Sequence, residues 1–299
     1  MTRPPFPESP EPELDLEVLR LGIIGGGRAA WSFGRSWLDL GWPISGIALR
    51  ETSISEIDRL LGVPRSSIAD LSRESEVLLF AVPDDVIGPL YEREGEAIPR
   101  DEILFHASGS ASSTLFHQHP LRFSLHPLRS LSPVGQHPQL AGSLFVFEGA
   151  PAGREVSRRF VDGVGAEMAE ILASGKGLYH AAAVFASNYV AVLLEIAREL
   201  FRESGIERPI DEPIGALARS AIENWLRTDD GGRFTGPLTR GDRLVIEAHL
   251  AALAALPERD ELYRQLGVSL AEILLRDVED PSSISPLRDL LAGSSRSRS

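Results

Sequence analysis

A short apolar segment, Leu19-Arg20-Leu21-Gly22-Ile23-Ile24, runs straight into Gly25-Gly26-Gly27-Arg28-Ala29-Ala30. From Trp31 to Leu40 the apolar residues then recur with helical period. A strand that becomes a helix through three glycines has few ways to fold. Gly25 permits a tight turn, Gly27 lets the backbone approach a pyrophosphate, and Ala30 lets the helix pack close to the strand. The N-terminus of that helix offers free N–H groups and positive potential to a phosphate. Gly41 is suited to stop it.

The following segments keep the alternation going. Ile44–Leu49 reads as a strand, Ser53–Leu61 as a helix, and Glu76–Val82 as a strand apolar on both faces. Asp84–Tyr91 starts a helix and Glu102–Ala107 is a further strand; shorter strands are expected at Phe123–Leu125, Leu144–Phe147 and Met168–Leu172, with a helix over Arg154–Val164. Alternating strands and helices imply an α/β fold with a parallel, doubly wound sheet, a Rossmann domain over residues 18–174. After Ser174 the texture becomes helical: Leu178–Phe201 as one long helix, then Pro213–Arg227, Arg243–Leu256, Glu258–Arg276 and Pro286–Leu291. This defines an all-helical domain over residues 175–293, for substrate binding or dimerisation. Residues 1–17, rich in proline and acid, and 294–299 read as disordered tails.

The apolar stretch Leu178–Leu194 is almost long enough to span a membrane, but His180, Ser187, Asn188 and Tyr189 interrupt it and Glu195 closes it. A buried helix is expected instead. Being apolar on most sides, it needs several packing partners, and a second subunit would supply them, making a homodimer through the C-terminal helices. The N-terminal segment has neither a signal-peptide core nor an anchor, so a cytoplasmic protein is expected. The formal net charge of -13 disfavours nucleic acid and anionic membrane surfaces as partners. The absence of cysteine removes disulfides, thiolate nucleophiles and iron–sulfur clusters.

The nature of the cofactor is read at the end of the second strand, about 20 residues beyond the glycine loop, where an acid signals NAD and an arginine suits the 2′-phosphate of NADP. Arg50 stands there and favours NADP. Glu51 follows it, and would favour NAD if it turned inward. Ala81-Val82-Pro83-Asp84 and His106-Ala107-Ser108-Gly109 end later strands, where Val82, Pro83 and Ser108 would line the ligand crevice with Gly25, Gly27, Arg28 and Ala30.

Of the 30 basic residues only Lys176 is a lysine. Codon bias explains the arginines; a surviving lysine marks either chance or a place where a cation must be able to lose its proton. Lys176 opens the long helix where a cleft between domains is expected, and His180 lies one turn on, on the same face. Ser187 continues that face, while Asn188 is about 120° away and could join only from the side. Lys176 is thus a candidate general acid, with His180 orienting substrate or sharing the proton; the bland reading is a helix cap and a core histidine. His126, before Pro127, is a second catalytic candidate, or a turn histidine bonded to backbone. Arg240, in Thr235-Gly236-Pro237-Leu238-Thr239-Arg240-Gly241-Asp242, could clamp a substrate carboxylate, while Asp242 suits the N-cap of the next helix. His117 and His119 precede Pro120 in a loop, and no metal site is expected.

The segments IIGGGRAA, AVPDD, HASGS, SLHPLRS, KGLYHAAAVFASNY and TGPLTRGD, in this order, resemble a bacterial family that pairs a Rossmann-like, NADP-oxidoreductase-type domain with a C-terminal helical domain of unknown function (domain of unknown function 2520). The resemblance spans about residues 18–275. It implies the fold, NADP binding and a helical dimerising half, but no reaction. More distantly the chain is similar to ketopantoate reductases, pyrroline-5-carboxylate reductases and prephenate dehydrogenases. The first of these place an asparagine four residues after their lysine, where this chain has His180; the last share a His-Pro pair like His126-Pro127, whose histidine contacts the substrate hydroxyl. The functional expectation is an NADP-dependent oxidoreductase acting on a small, anionic carbonyl or imine. The alternatives are a non-catalytic NADP(H) sensor or a dimeric interaction protein on the same fold.

Overall fold

Central strands of a doubly covered sheet must be apolar on both faces, and the glycine loop follows such a strand. In the computed structural model, which describes residues 19–227, 233–277 and 280–293, β1 (Leu21–Ile24), β3 (Val77–Phe80) and β4 (Ile103–His106) are buried along their whole length. With β2 (Ile44–Ala48), β5 (Arg122–Pro127), β6 (Leu144–Gly149) and β7 (Glu167–Glu170) they form one seven-stranded sheet in the order β2-β1-β3-β4-β5-β6-β7. The order reverses at β1 and β3, so the carboxyl ends of these two strands are the switch point where such sheets take ligands.

Helices α1 (Arg28–Asp39), α2 (Ile57–Leu61), α3 (Ile68–Glu74), α4 (Asp84–Glu94) and α5 (Pro151–Gly163) accompany the sheet. One core packs aromatic rings from α1, β4, β5, β6 and α5; Phe33 stacks on Phe160 at 5.3 Å and Phe105 on Phe123 at 4.8 Å. The second core gathers Leu71, Leu78, Phe80, Ile87, Tyr91 and Phe116. Both faces of the central strands are thereby covered.

The all-parallel expectation fails at one place: β6 runs antiparallel to β5, with Leu125 opposite Phe147. A parallel return requires a crossover of a dozen or more residues, usually a helix. The connection Leu128–Ser143 contains Pro133 and Pro138 and turns at Gly135 and Gly142, both with positive φ, so it can only double back. Helix α3 was also not foreseen. Its signal is Ser67-x-x-Asp70, where the Ser67 hydroxyl accepts from the Asp70 N–H at 3.1 Å and caps the helix.

The chain divides into two units, residues 1–191 and 192–299. The sequence boundary at 174/175 falls earlier because α6 (Lys176–Ala186) is tied to the sheet through its own side chains. The long helix expected over Leu178–Phe201 is broken at Ser187, where φ is -131° and ψ -72°, and resumes as α7 (Asn188–Glu203). Its burial is not found in this chain: Leu178 is 80% and Phe185 68% exposed. Ala173–Glu203 is long and apolar enough, by length and composition alone, to cross a membrane, although its first turn is anchored in the sheet unit. The second unit contains α8 (Asp211–Leu226), α9 (Pro237–Arg240), α10 (Arg243–Leu253), α11 (Pro257–Asp277) and α12 (Ser285–Ala292), whose core holds Leu238, Ile246, Leu250, Leu287 and Leu291. The expected terminal tails, 1–17 and 294–299, lie outside the described residues.

Candidate functional site

The glycine loop opens onto a cavity of about 750 Å³ at the carboxyl ends of β1 and β3. Its lining includes Gly25, Gly27, Arg28, Arg50, Val82, Pro83 and Ser108. Ala30 does not line it; fully buried, it lies beneath the loop in the core. The two key glycines differ in what they require. Gly25 has φ +117°, and a Cβ there would lie 2.2 Å from the Ala81 carbonyl oxygen, so only glycine can make this turn. Gly27 is extended, and a Cβ on it would meet nothing within 4 Å. Neither torsion nor packing requires glycine at 27; a ligand pressed against the backbone would.

Gly27 is also the N-cap of α1, and no side chain caps the helix, so its first N–H groups are left for a ligand. Arg28 and Arg50 are exposed and have no ion-pair partner among the described residues. Glu51 does not line the cavity. The sequence reading missed Ser53, Ser66, Ser67 and Arg93, which do; the α3 capping signal at Ser67 could have pointed to this wall. An open backbone cradle, a free helix N-terminus and unpaired arginines fit a dinucleotide.

The second part of the site is assembled at the ends of β3, β4 and β5 and on α6. Asp84, in the first turn of α4, accepts from the hydroxyls of Ser108 at 2.6 Å and Ser110 at 2.7 Å. Burial raises its carboxyl, but these two donors more than offset that and hold it below the usual carboxylate range. Ser108 also donates its N–H to His106 Nδ1 at 3.2 Å. Burial and the nearby Lys176 push His106 down to about 4.

His126, at the end of β5, bonds through Nδ1 to the Tyr179 hydroxyl at 2.6 Å. Burial first, then His180 and Lys176, push it down to about 4, so it is neutral at physiological pH. Burial pushes Tyr179 up to about 12 and keeps it a phenol. In the tautomer where the phenol donates to Nδ1, the His126 proton resides on Nε2. His180 is adjacent, its ring 6.1 Å from that of His126. Both rings rest against Gly109, where a Cβ would lie 2.6 Å from His180 Nδ1 and 3.0 Å from His126 Nε2. Gly109 has no positive φ, so it is glycine for space.

Lys176 does not reach a cleft, which alters the role read for it from sequence. It is 1% exposed, and its ammonium donates to the Ser124 hydroxyl at 2.6 Å and the Ser108 carbonyl at 3.1 Å. Behind Ser124 lies the buried Glu148, which accepts from the Ser113 N–H and hydroxyl, both at 2.8 Å. Burial pushes Lys176 down to about 8.

Ser187 and Asn188 are not brought to this cluster. Ser187 is exposed at the helix break and donates to the Ala183 carbonyl and to Asn188 Oδ1. Asn188 is likewise exposed. Arg240, in the second unit, is forked onto Asp242 at 2.8–2.9 Å. Asp242 occupies the N-cap of α10 but makes no side-chain cap bond; its Oδ2 is held by that arginine. His119 is buried against the Tyr91 hydroxyl at 2.7 Å. Among the described residues, no group of three or more His, Asp or Glu side chains could hold a metal ion.

Sheet order, glycine loop and cavity together define a Rossmann-type fold followed by a helical C-terminal region. Residues 143–270 match the model of a domain of unknown function, DUF2520. Comparison with curated proteins gives no match. Among solved structures, the fold is similar to a provisionally named NADP oxidoreductase from Bacteroides fragilis, at 18% identity and a TM-score of 0.67, over 83% of this chain and 96% of that one. It is similar to a protein from Thermotoga maritima at 23% identity and 0.61, over 79% and 90%. It is similar also to pyrroline carboxylate reductase from Plasmodium falciparum, solved with NADP bound, at 12% identity and 0.55, over 80% and 94%.

Proposed function

We propose that this chain is a nicotinamide-dinucleotide-dependent oxidoreductase, with NADP favoured over NAD, that interconverts a small carbonyl or imine compound and its reduced form. One juxtaposition carries the reading: Ser108 lines the dinucleotide-sized cavity, and His126 and His180 converge on the very next residue, Gly109. Gly25, Gly27, Arg28 and the α1 N-terminus would hold the pyrophosphate, Arg50 the 2′-phosphate, and Val82, Pro83 and Ser108 the inner end. When bound, the dinucleotide supplies or accepts hydride.

The chain's own residues handle the proton. His126 Nε2–H faces the converging site as a neutral donor, able to polarise a carbonyl oxygen or imine nitrogen and then to protonate it. As that proton leaves, Nδ1 takes the Tyr179 hydroxyl proton, and the resulting phenolate is reprotonated from solvent. His180 forms the other side of the site and orients the substrate. Arg240, forked onto Asp242, no longer supplies an argument for an anionic substrate. A second copy of this chain is the cover we propose for the exposed Leu178, Phe185 and Tyr189; light scattering that reports a monomer would remove that part.

The test of turnover is a screen of keto and imino compounds with NADPH, followed by nicotinamide absorbance, on the parent chain and on His126→Asn. A substrate whose turnover falls about 10²-fold or more in the variant, with NADPH affinity retained, is the expected result. Binding of NADPH with no turnover across the screen would favour a sensor.

A further inference from the structure

The lone lysine of this chain is the buried group that the proposed chemistry leaves unused. Its surroundings explain why it is not an arginine. The ammonium sits between the Ser108 carbonyl and the Ser124 hydroxyl, 1% exposed, with Glu148 beyond. A compact ammonium with three donors fits between two acceptors on neighbouring strand ends; a planar guanidinium is wider and presents its donors in a fixed fork.

Ser108 is also the hub of the loop that follows β4. Its N–H goes to His106, its hydroxyl to Asp84, and that same hydroxyl accepts from the N–H groups of Ser110 and Ala111 at 3.2 and 2.9 Å. Asp84 and Ser108 line the cavity, and Gly109 carries the two histidines. One side chain on α6 therefore holds, by its carbonyl, the loop on which both halves of the site are mounted.

We propose that Lys176 is a positioning residue: its ammonium ties the Ser108 carbonyl to Ser124 and so locks the Ser108–Ala111 loop, with Asp84 attached, between the dinucleotide cavity and the His126–His180 pair. The lock itself stands without a cofactor; its consequence for binding rests on the reading of the cavity given above. The cation also acts at a distance. Lys176 and His180 from α6 disfavour protonation of His126, Asp84 from α4 favours it, and the Tyr179 hydroxyl bonds its Nδ1. Removing the cation therefore raises the His126 titration midpoint.

Because Lys176 is the only lysine, reductive methylation with ¹³C-formaldehyde labels it and the N-terminal amine alone. In the native protein at pH 8 Lys176 is expected to resist labelling, and to react fully after unfolding in guanidinium. Rapid native labelling that NADPH blocks would overturn the proposal and return Lys176 to direct contact with ligand.

The second arm uses Lys176→Met and, because removal of a buried cation can unfold a chain, Ser124→Ala, which keeps the charge and removes one of the two bonds. Hydrogen exchange at the Ser110 and Ala111 amides should accelerate about tenfold or more in either variant. The His126 midpoint, followed by NMR, should rise in Lys176→Met and stay within a few tenths of a unit in Ser124→Ala. NADPH binding, followed by fluorescence, should weaken about tenfold in Lys176→Met. Unchanged exchange in Ser124→Ala, or an unmoved midpoint in a folded Lys176→Met, would reduce Lys176 to core filling. If the parent chain binds neither NADPH nor NADH, the cofactor reading fails, while the exchange and titration arms still decide the lock.

Discussion

The cavity at the ends of β1 and β3 is lined by residues between Ile24 and Ser108, with the consecutive run Ile24–Ala29 forming its glycine wall. The cluster at the ends of β4 and β5 is assembled from side chains between Asp84 and His180, and many of its polar groups are paired, although His106 Nε2 and His180 Nδ1 are buried with no partner among the described residues. The first is open: Gly27 leaves space, α1 has no side-chain cap, and Arg28 and Arg50 have no ion-pair partner among the described residues. The second is closed because its groups must hold one another: Lys176 and Ser124, Ser108 and Asp84, Tyr179 and His126. On the proposed function, the binding wall waits for its ligand and the paired groups of the proton wall are already oriented, as fixed dipoles that need not reorganise during reaction.

The contrast within the binding wall can be broken at its two glycines. Gly25→Ala must accept φ +117° and a Cβ 2.2 Å from the Ala81 oxygen, and should destabilise the chain by about 3 kcal/mol in denaturant titration. Gly27→Ala, by comparison, should leave stability within about 1 kcal/mol of the parent and weaken NADPH binding about tenfold or more. If Gly27→Ala binds NADPH normally, the cradle is not where the phosphates lie.

A smaller effect separates the cofactors. Arg50→Ala should weaken NADPH binding about tenfold and leave NADH within about twofold, because a charge-assisted bond to a phosphate is lost from one ligand alone. Equal losses for both would make Arg50 a general cation at the cavity mouth.

Protonation sharpens the comparison between the site and a buried acid elsewhere in the sheet. His106 and His126 are held near 4 in the fold against 6.5 unfolded, so the unfolded chain binds more protons and stability rises with pH between about 4 and 6.5. Glu102, buried at the start of β4 with Oε1 unpartnered, is pushed up to about 8 by burial and by Glu76. Here the folded chain binds more protons, and stability falls as pH rises from 4.5 towards 8. Glu102→Gln should therefore raise Tm by a few degrees at pH 8 and leave it nearly unchanged at pH 4. A gain of the same size at both would mean Glu102 is not held protonated.

The sequence reveals the binding wall more readily than the proton wall, for a physical reason. A strand, a turn and a helix N-terminus are local, so Gly25, Gly27 and Arg28 could be placed from spacing alone, and Arg50 from its distance along the chain. The antiparallel pairing of β5 and β6 was not foreseen, although Pro133 and Pro138 speak against a crossover helix in the intervening segment. Side-chain direction was not legible either. Helical spacing puts Lys176 and His180 on one face, but whether an ammonium turns into the sheet or into a cleft depends on Ser108 and Ser124, 68 and 52 residues away. Tyr179 went unmarked for the same reason, because its partner His126 is 53 residues distant. At the break the Ser187 hydroxyl bonds back to the Ala183 carbonyl, an arrangement that periodicity does not encode.

The most direct test of the central claim is a titration of the purified chain with NADPH and with NADH, followed by nicotinamide fluorescence, alongside Gly27→Ala. Tight NADPH binding, weaker NADH binding and loss of both in a folded Gly27→Ala are expected if the cavity is the dinucleotide site. Binding of neither by the parent chain would contradict the account and leave an open cavity on a fold put to some other use.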